Sequence, residues 1–334
     1  MSLLGSTNPA IASMRIPMAE FIGTMIFVFF GDAANAQTAA FNSQGLTFPF
    51  FIFGFGLGLC MAIYFTAHVS AHFNPAVTLS FALYGKSSWK MVPVRIVAQM
   101  LGAFVAAALV YFVWLDVIDQ LDGGVRNIAT ARIFTGFPAP GLTNWRAAVD
   151  QFVGSALLIG IIFALTDKRN NVMPQGNTAP IVIGLVLLLL GCSMGYNTEF
   201  TFNPARDFGP RVFACITGWG NIVWTANASY FWIPLVIPFF GAPFGAAVYS
   251  FFVYREEKEP LSVVSETAQG QQVTATPGKP APDNALRIYT ELPPSMFQLA
   301  SPLGPSDPKT ASAAVVALDA EAPAPASVSN PPAV

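Results

Sequence analysis

The sequence predicts an all-α integral membrane protein with six transmembrane helices and two re-entrant half-helices, built as an inverted repeat. Three observations lead there. The 334 residues are 54% hydrophobic and only 10% charged, with a mean hydropathy of +0.54, whereas soluble domains carry about a quarter charged residues. Six apolar runs approach the roughly 20 residues that cross about 30 Å of hydrocarbon. Two Asn-Pro-Ala triplets stand at corresponding places between them.

Taken in order, residues 1–15 form an N-terminal arm that carries "STNPAIAS" at 6–13. That triplet precedes the first span, has no apolar partner segment and falls outside the repeat, so it reads as coincidence. The runs at 16–36 and 48–68 are the first two spans. The stretch at 74–83 is too short to cross, and its Asn74-Pro75-Ala76 opening is a helix start, because proline fits the first helical turn. Spans follow at 92–114, 147–166 and 179–196. The second half-helix, 203–214, opens on Asn203-Pro204-Ala205, and the last span is 231–254. About ten residues at 1.5 Å rise cover half the hydrocarbon, so two half-helices end to end amount to a seventh crossing.

The halves repeat. "AEFIGT" at 19–24 returns as "DQFVGS" at 150–155, and the triplet at 74–76 returns at 203–205. Each unit has three spans, an odd number, so the second enters the membrane from the opposite face. Such repeats place the functional site at midplane, where interrupted helices meet. Residues 16–254 therefore form one channel-like domain. Arg15, Lys86, Lys90, Arg95, Lys168, Arg169, Arg255 and Lys258 fall on one side, against Arg126, Arg132 and Arg146 on the other. The positive-inside rule then puts both termini in the cytoplasm, with a plasma-membrane location expected. Asn227, in the sole Asn-X-Ser/Thr sequon "NAS", lies on the outer side as a glycosylation candidate.

Residues 255–334 hold thirteen of the 27 prolines and few aromatics. That composition buries too little apolar surface to offset ordering entropy, so a disordered cytoplasmic tail is expected, its partner unidentified. Cys60, Cys192 and Cys215 have neither zinc nor disulfide spacing and read as small buried apolar residues. A net charge of -2 argues against nucleic acid. Neither a nucleophile–base pair nor a ligand cluster stands out, so an enzyme, a metal or another cofactor is not expected.

Two half-helix N-termini at midplane present N–H groups and positive dipole ends. Asn74 and Asn203 would cap them and offer amide donors to a passing oxygen. A cation meets about half a unit of positive charge from each helix, which suits a pore for neutral polar solutes.

With spans, repeat and triplets together, residues 14–256 resemble the major intrinsic proteins, the aquaporin family. "AHFNPAVT", "GCSMG", "NPARDFGPRVFA" and "GWGN" resemble its aquaglyceroporin branch, which includes the glycerol facilitator. The resemblance implies a homotetramer in membrane lipid, conducting glycerol and water through each subunit. It also implies a selectivity filter of Phe55, Gly191, Phe200 and Arg206, with aromatic walls for a carbon backbone and the arginine for its hydroxyls. Glycine at 191 replaces the histidine of water-selective relatives. Tyr111, Asp207, Arg211, Pro234 and Leu235 match the residue types that separate glycerol channels from water channels. Glu20 matches the family glutamate that holds a re-entrant loop, with Gln151 as its repeat partner beside Asp150; His72 matches a histidine that braces the same loop. This chain reads "VSAHFNPA" where the family usually has the longer "VSGAHLNPA", it has Phe55 where bacterial relatives usually have tryptophan, and His68 stands where a small residue is common.

Rival readings are a water-dominant pore, a pore for urea, ammonia, peroxide or metalloid hydroxides, and an inverted-repeat secondary transporter. The transporter would need an ion-binding or titratable centre. Apart from Glu20, Asp150, Arg206 and Asp207, almost no charge is expected in the spans.

Overall fold

The computed structural model describes residues 9–170, 172–174, 177–253, 263–266 and 272–275, and it divides at Arg255 into two units. In the first unit the chain runs α1 (Pro9–Ser43), α2 (Phe50–Thr66), α3 (Pro75–Leu83), α4 (Val92–Asp122), α5 (Ile128–Ala131), α6 (Asn144–Leu165), α7 (Ala179–Thr198), α8 (Pro204–Ala214), α9 (Ile222–Ser229), α10 (Trp232–Val236) and α11 (Pro238–Val248). By length and composition α1, α4 with its preceding turn, α6 and α7 can each cross a membrane. Phe50–Thr66 and Pro238–Val253 are shorter apolar helices.

Packing follows the repeat. Helix α1 lies against α2 and α4, as α6 lies against α7 and α11; α2 and α7 meet across the middle. The half-helices cross over, with α8 on α4 and α3 on α11. Matching close approaches recur: a Cβ on Gly102 would stand 2.3 Å from the Phe21 carbonyl oxygen, and one on Gly241 would stand 2.3 Å from that of Phe152. With little hydrophobic drive between helices in lipid, such small-residue contacts let backbones pack closely. The exposed belt is apolar, including Phe112, Phe251 and Phe252.

Several boundaries differ from the sequence expectation. Helix α1 starts at Pro9, so the first triplet contributes a helix start and the arm is helical from there; Asn8 itself lies outside the described residues. It also runs on to Ser43, seven residues past the expected end, because Ala-rich "NAQTAAFNS" keeps helix propensity where hydropathy fades. Helix α4 continues to Asp122 and ends on Gly123 in a left-handed C-cap. In the last span α10 and α11 adjoin at Ile237, where Pro238 lacks an N–H, but the backbone stays helical, with the Ile237 N–H donating to Ile233 O at 3.0 Å and the Gly241 N–H to Ile237 O at 3.1 Å.

In the second unit, Val263–Glu266 and Gln272–Ala275 pair as antiparallel strands β1 and β2, with Val263 opposite Ala275. Two strands alone are marginal in water. The rest of 254–334 lies outside the described residues.

Candidate functional site

The half-helices meet through their caps. Asn74 precedes α3, and its Oδ1 accepts from the Ala76 N–H at 2.9 Å. Asn203 precedes α8, and its Oδ1 accepts from Ala205 at 2.9 Å and from Arg206 at 3.3 Å. Each Nδ2 then crosses the pseudo-twofold: Asn74 donates to Phe202 O at 3.0 Å, and Asn203 donates to Phe73 O at 2.8 Å. An amide NH₂ has two donors, so one hydrogen of each remains for a solute. The sequence reading assigned both asparagines to the solute and missed this bracing.

The residue before each asparagine is strained. Phe73 has φ 50° and Phe202 has φ 41°, left-handed values that cost of order 1–3 kcal/mol each in a non-glycine residue. Their carbonyls are thereby turned to the opposite asparagine. The rings are seated against two glycines of the repeat: a Cβ on Gly23 would fall 2.0 Å from Phe73 Cε1, and one on Gly154 would fall 2.0 Å from Phe202 Cζ.

Buried polar groups hold the loops. The Glu20 carboxylate accepts from Ser70 Oγ, from the His72 N–H at 3.0 Å, the Phe73 N–H at 2.8 Å and Gln99 Nε2 at 2.9 Å. His72 Nδ1 contacts Thr78 Oγ1 at 3.1 Å, whereas His68 is exposed. In the other half Gln151 Oε1 accepts from the Phe202 N–H at 3.0 Å, and its Nε2 donates to Thr198 Oγ1 at 2.8 Å. Thr198 Oγ1 donates in turn to Asp150, which also accepts from Asn197 Nδ2 at 2.9 Å. The second repeat thus has its carboxylate one residue earlier.

These parts line one cavity of about 290 Å³ that extends from Thr166 and Ala67, past His72, Asn74 and Asn203, to Arg206. Leu59, Ile63, Leu158, Ile162 and Leu187 make an apolar wall along it. At the far end Phe55 and Phe200 meet edge to face, with ring centroids 5.7 Å apart. The Arg206 guanidinium lies 4.4 Å from the Phe55 centroid, a cation–π contact of about 0.5–2 kcal/mol. Its Nη1 and Nη2 are buried without a protein hydrogen-bond partner. Burying a charge costs several kcal/mol, so these N–H groups are held ready for oxygen atoms from outside the chain.

Gly191 is absent from the residues lining this cavity and sits behind it. A Cβ there would stand 2.9 Å from Ile52 Cγ2 and 3.2 Å from Phe200 Cζ, so the glycine sets how far Phe200 can lean back.

The five branch-matching residues also stand behind the cavity. Asp207 accepts from Thr135 Oγ1 at 2.9 Å and the Gly136 N–H at 3.0 Å, and pairs with Arg211 at 2.8 Å. Arg211 donates to the Gly136 and Val223 carbonyls, pinning two loops on α8. Tyr111 and Trp219 flank Arg126, with ring centroids 5.6 and 4.9 Å from its guanidinium. Pro234 is buried and Leu235 half-buried in α10. Asn227 is exposed at φ 53° in an irregular stretch of α9. Of the cysteines only Cys60 is buried; Cys215 is half-buried and Cys192 exposed, which corrects the expectation of three buried thiols.

Sequence reading missed Asp32, a fully buried acid in α1 whose two oxygens have no protein partner. It also missed the Arg132–Glu199 ion pair near Arg206. Asp32 was visible as an ionisable residue inside the first apolar run.

A sequence profile of the family described as "Major intrinsic protein" matches residues 8–249. The chain is 43% identical over 251 residues to aquaglyceroporin-2 of Rhizophagus irregularis, covering 74% of this chain and 79% of that protein. It is 39% identical over 246 residues to the propanediol uptake facilitator PduF of Salmonella typhimurium, covering 70% and 92% respectively. Among solved structures, the aquaglyceroporin from Plasmodium falciparum superposes with a TM-score of 0.65 at 28% identity, over 72% of this chain and 96% of that one. With its paired Asn-Pro-Ala caps, crossed half-helices and buried arginine, the chain belongs to the major intrinsic protein family, in the aquaglyceroporin branch.

Proposed function

We propose that this chain is a passive transmembrane channel for glycerol, water and other small uncharged solutes. The observation that carries the reading is the mixed lining of the cavity: the apolar Leu59, Ile63, Leu158, Ile162 and Leu187 together with the donors Asn74, Asn203 and Arg206. A polyol has a carbon edge and a hydroxyl edge, and each finds its counterpart. The diol in the name of the Salmonella relative has the same two-edged character. Phe55, Phe200 and Arg206 form the narrow filter in this reading, and Gly191 supplies room behind Phe200. Arg206 and both half-helix N-termini oppose cations. Assembly as a homotetramer, a plasma-membrane location with both termini cytoplasmic, and a glycan on Asn227 belong to the same proposal.

The test is stopped-flow light scattering on proteoliposomes under separate glycerol and water gradients. Non-saturating glycerol flux that is independent of pH and sodium gradients is expected. Water flux without glycerol flux would replace the reading with a water-dominant pore, and coupling to an ion gradient would replace it with a transporter.

A further inference from the structure

The buried acid at Asp32 has no part in the channel account given so far. It sits at 0% exposure inside α1, and neither Oδ1 nor Oδ2 has a hydrogen-bond partner in the protein. A carboxylate in that condition is costly unless something else satisfies it. Burial is the largest influence on its charge; among its neighbours Arg206 favours that charge, while the like charges of Asp207 and Glu199 oppose it. Arg206 has the complementary deficit, because Nη1 and Nη2 are buried and unpartnered too. Glu199 Oε2 is buried and unpartnered as well.

The backbone explains why acid and arginine come close. Gly31, immediately before Asp32, lies against the Phe55 ring, where a Cβ would stand 2.0 Å from Cε1. That ring also carries the Arg206 guanidinium, 4.4 Å from its centroid. Phe55 is therefore wedged between the α1 turn bearing the acid and the filter cation. Of the two other carboxylates near Asp32, Asp207 already bonds Thr135, Gly136 and Arg211, and Glu199 already pairs with Arg132. Asp207 has little capacity left for Arg206.

We propose that Asp32 is a positioning residue for the filter: its carboxylate is the counter-charge of Arg206 and, through bridging water, fixes the guanidinium over Phe55. Buried water that links otherwise unsatisfied polar groups is a regular part of protein interiors. A fixed guanidinium presents its free N–H groups in one geometry. Glycerol must engage several donors at once and depends on that order more than water does, so Asp32 favours the polyol. The inference rests on the channel reading, and wild-type glycerol flux checks that reading first.

The experiment is a double-mutant cycle of Asp32→Asn, Arg206→Leu and the pair, measured in liposomes with matched protein insertion. Asp32→Asn keeps the shape and removes the charge. It should lower the glycerol-to-water permeability ratio about threefold or more, and the effect should disappear in the Arg206→Leu background, as coupled neighbours behave. Melting temperatures of the four detergent-solubilised proteins give a second, flux-independent cycle, with the same non-additivity expected. Additive effects in both cycles would reduce Asp32 to a packing residue, and an unchanged ratio with unchanged melting would show a neutral acid unlinked to the filter. Either result overturns the proposal, even where wild-type glycerol flux upholds the channel.

Discussion

Asn74 and Asn203 each donate one amide hydrogen to the carbonyl just before the other, at 3.0 Å to Phe202 and 2.8 Å to Phe73. The pair ties the two half-helices together at their caps while leaving a second hydrogen on each amide. Solute contact and loop bracing are therefore functions of the same side chains. Asn203→Asp removes the donor and sets a carboxylate against the Phe73 carbonyl. Loss of such a buried bond costs about 1–3 kcal/mol. A lower melting temperature and reduced glycerol flux per inserted protein should appear together. Wild-type values for both would refute the bracing.

The strained phenylalanines give a second prediction. Gly154→Val would force a side chain into the Phe202 ring, whose Cζ is 2.0 Å from the position of the new Cβ. Overpacking costs about 1–3 kcal/mol, and Phe202 is also held at φ 41° by the Gln151 contact to its N–H. The variant should melt at lower temperature and conduct less. Adding Phe202→Ala should recover part of the loss in melting temperature, and failure to do so would place the damage elsewhere.

Glu20 and Gln151 predict an asymmetry between the halves. Glu20→Gln replaces one acceptor oxygen by an NH₂ facing either the Phe73 N–H and Gln99 or the His72 N–H. Two donors then oppose each other, at about 1–3 kcal/mol. Gln151→Glu leaves the acceptor for Phe202 but brings a second carboxylate to Thr198, beside Asp150. Both should destabilise the protein. Only Gln151→Glu should be relieved by Asp150→Asn, and thermal melts of the four variants decide it.

Much of this arrangement was legible in the sequence. The triplets and the repeat depend on local chemistry, so the expected caps at Asn74 and Asn203 agree with helices that start at Pro75 and Pro204. What escaped depends on tertiary contacts. Nothing local marks Phe73 as left-handed; its φ follows from Glu20, far away in sequence, and from the room at Gly23. The extension of α1 past residue 36 is invisible to hydropathy for a different reason: it is a polar, Ala-rich run whose Thr38 and Ser43 hydroxyls donate back to the Ala34 and Ala40 carbonyls of the same helix. Asp32 was overlooked because a single acid leaves an apolar run still apolar on average.

Residues from about 260 onward should be dispensable for conduction. The channel residues named here all fall in the unit that ends at Arg255. A chain ending at Glu259 should retain glycerol permeability per inserted protein, while its cellular distribution can change. Loss of intrinsic permeability would assign the tail to the pore.

The solute preference is tested at Gly191. Its Cα faces Ile52 and the tip of Phe200, and a Cβ there is already tight, at 2.9 Å from one and 3.2 Å from the other. Histidine cannot enter without pushing Phe200 toward Arg206, across the space a carbon backbone would use. Gly191→His alone should therefore narrow the filter and lower stability. Pairing it with Phe200→Thr removes the clash and leaves the imidazole opposite the guanidinium as a second polar wall. A glycerol molecule must shed most of its hydration to pass in single file, so it needs both the fit and the apolar wall. Water needs only donors and acceptors. The double variant should therefore lower the glycerol-to-water permeability ratio by about tenfold or more, equivalent to roughly 1.4 kcal/mol of differential barrier. Matched measurements in proteoliposomes read the ratio directly. An unchanged ratio in a folded protein would mean that neither Gly191 nor the Phe200 ring sets the preference, and polyol selection would have to reside deeper, at Asn74 and Asn203.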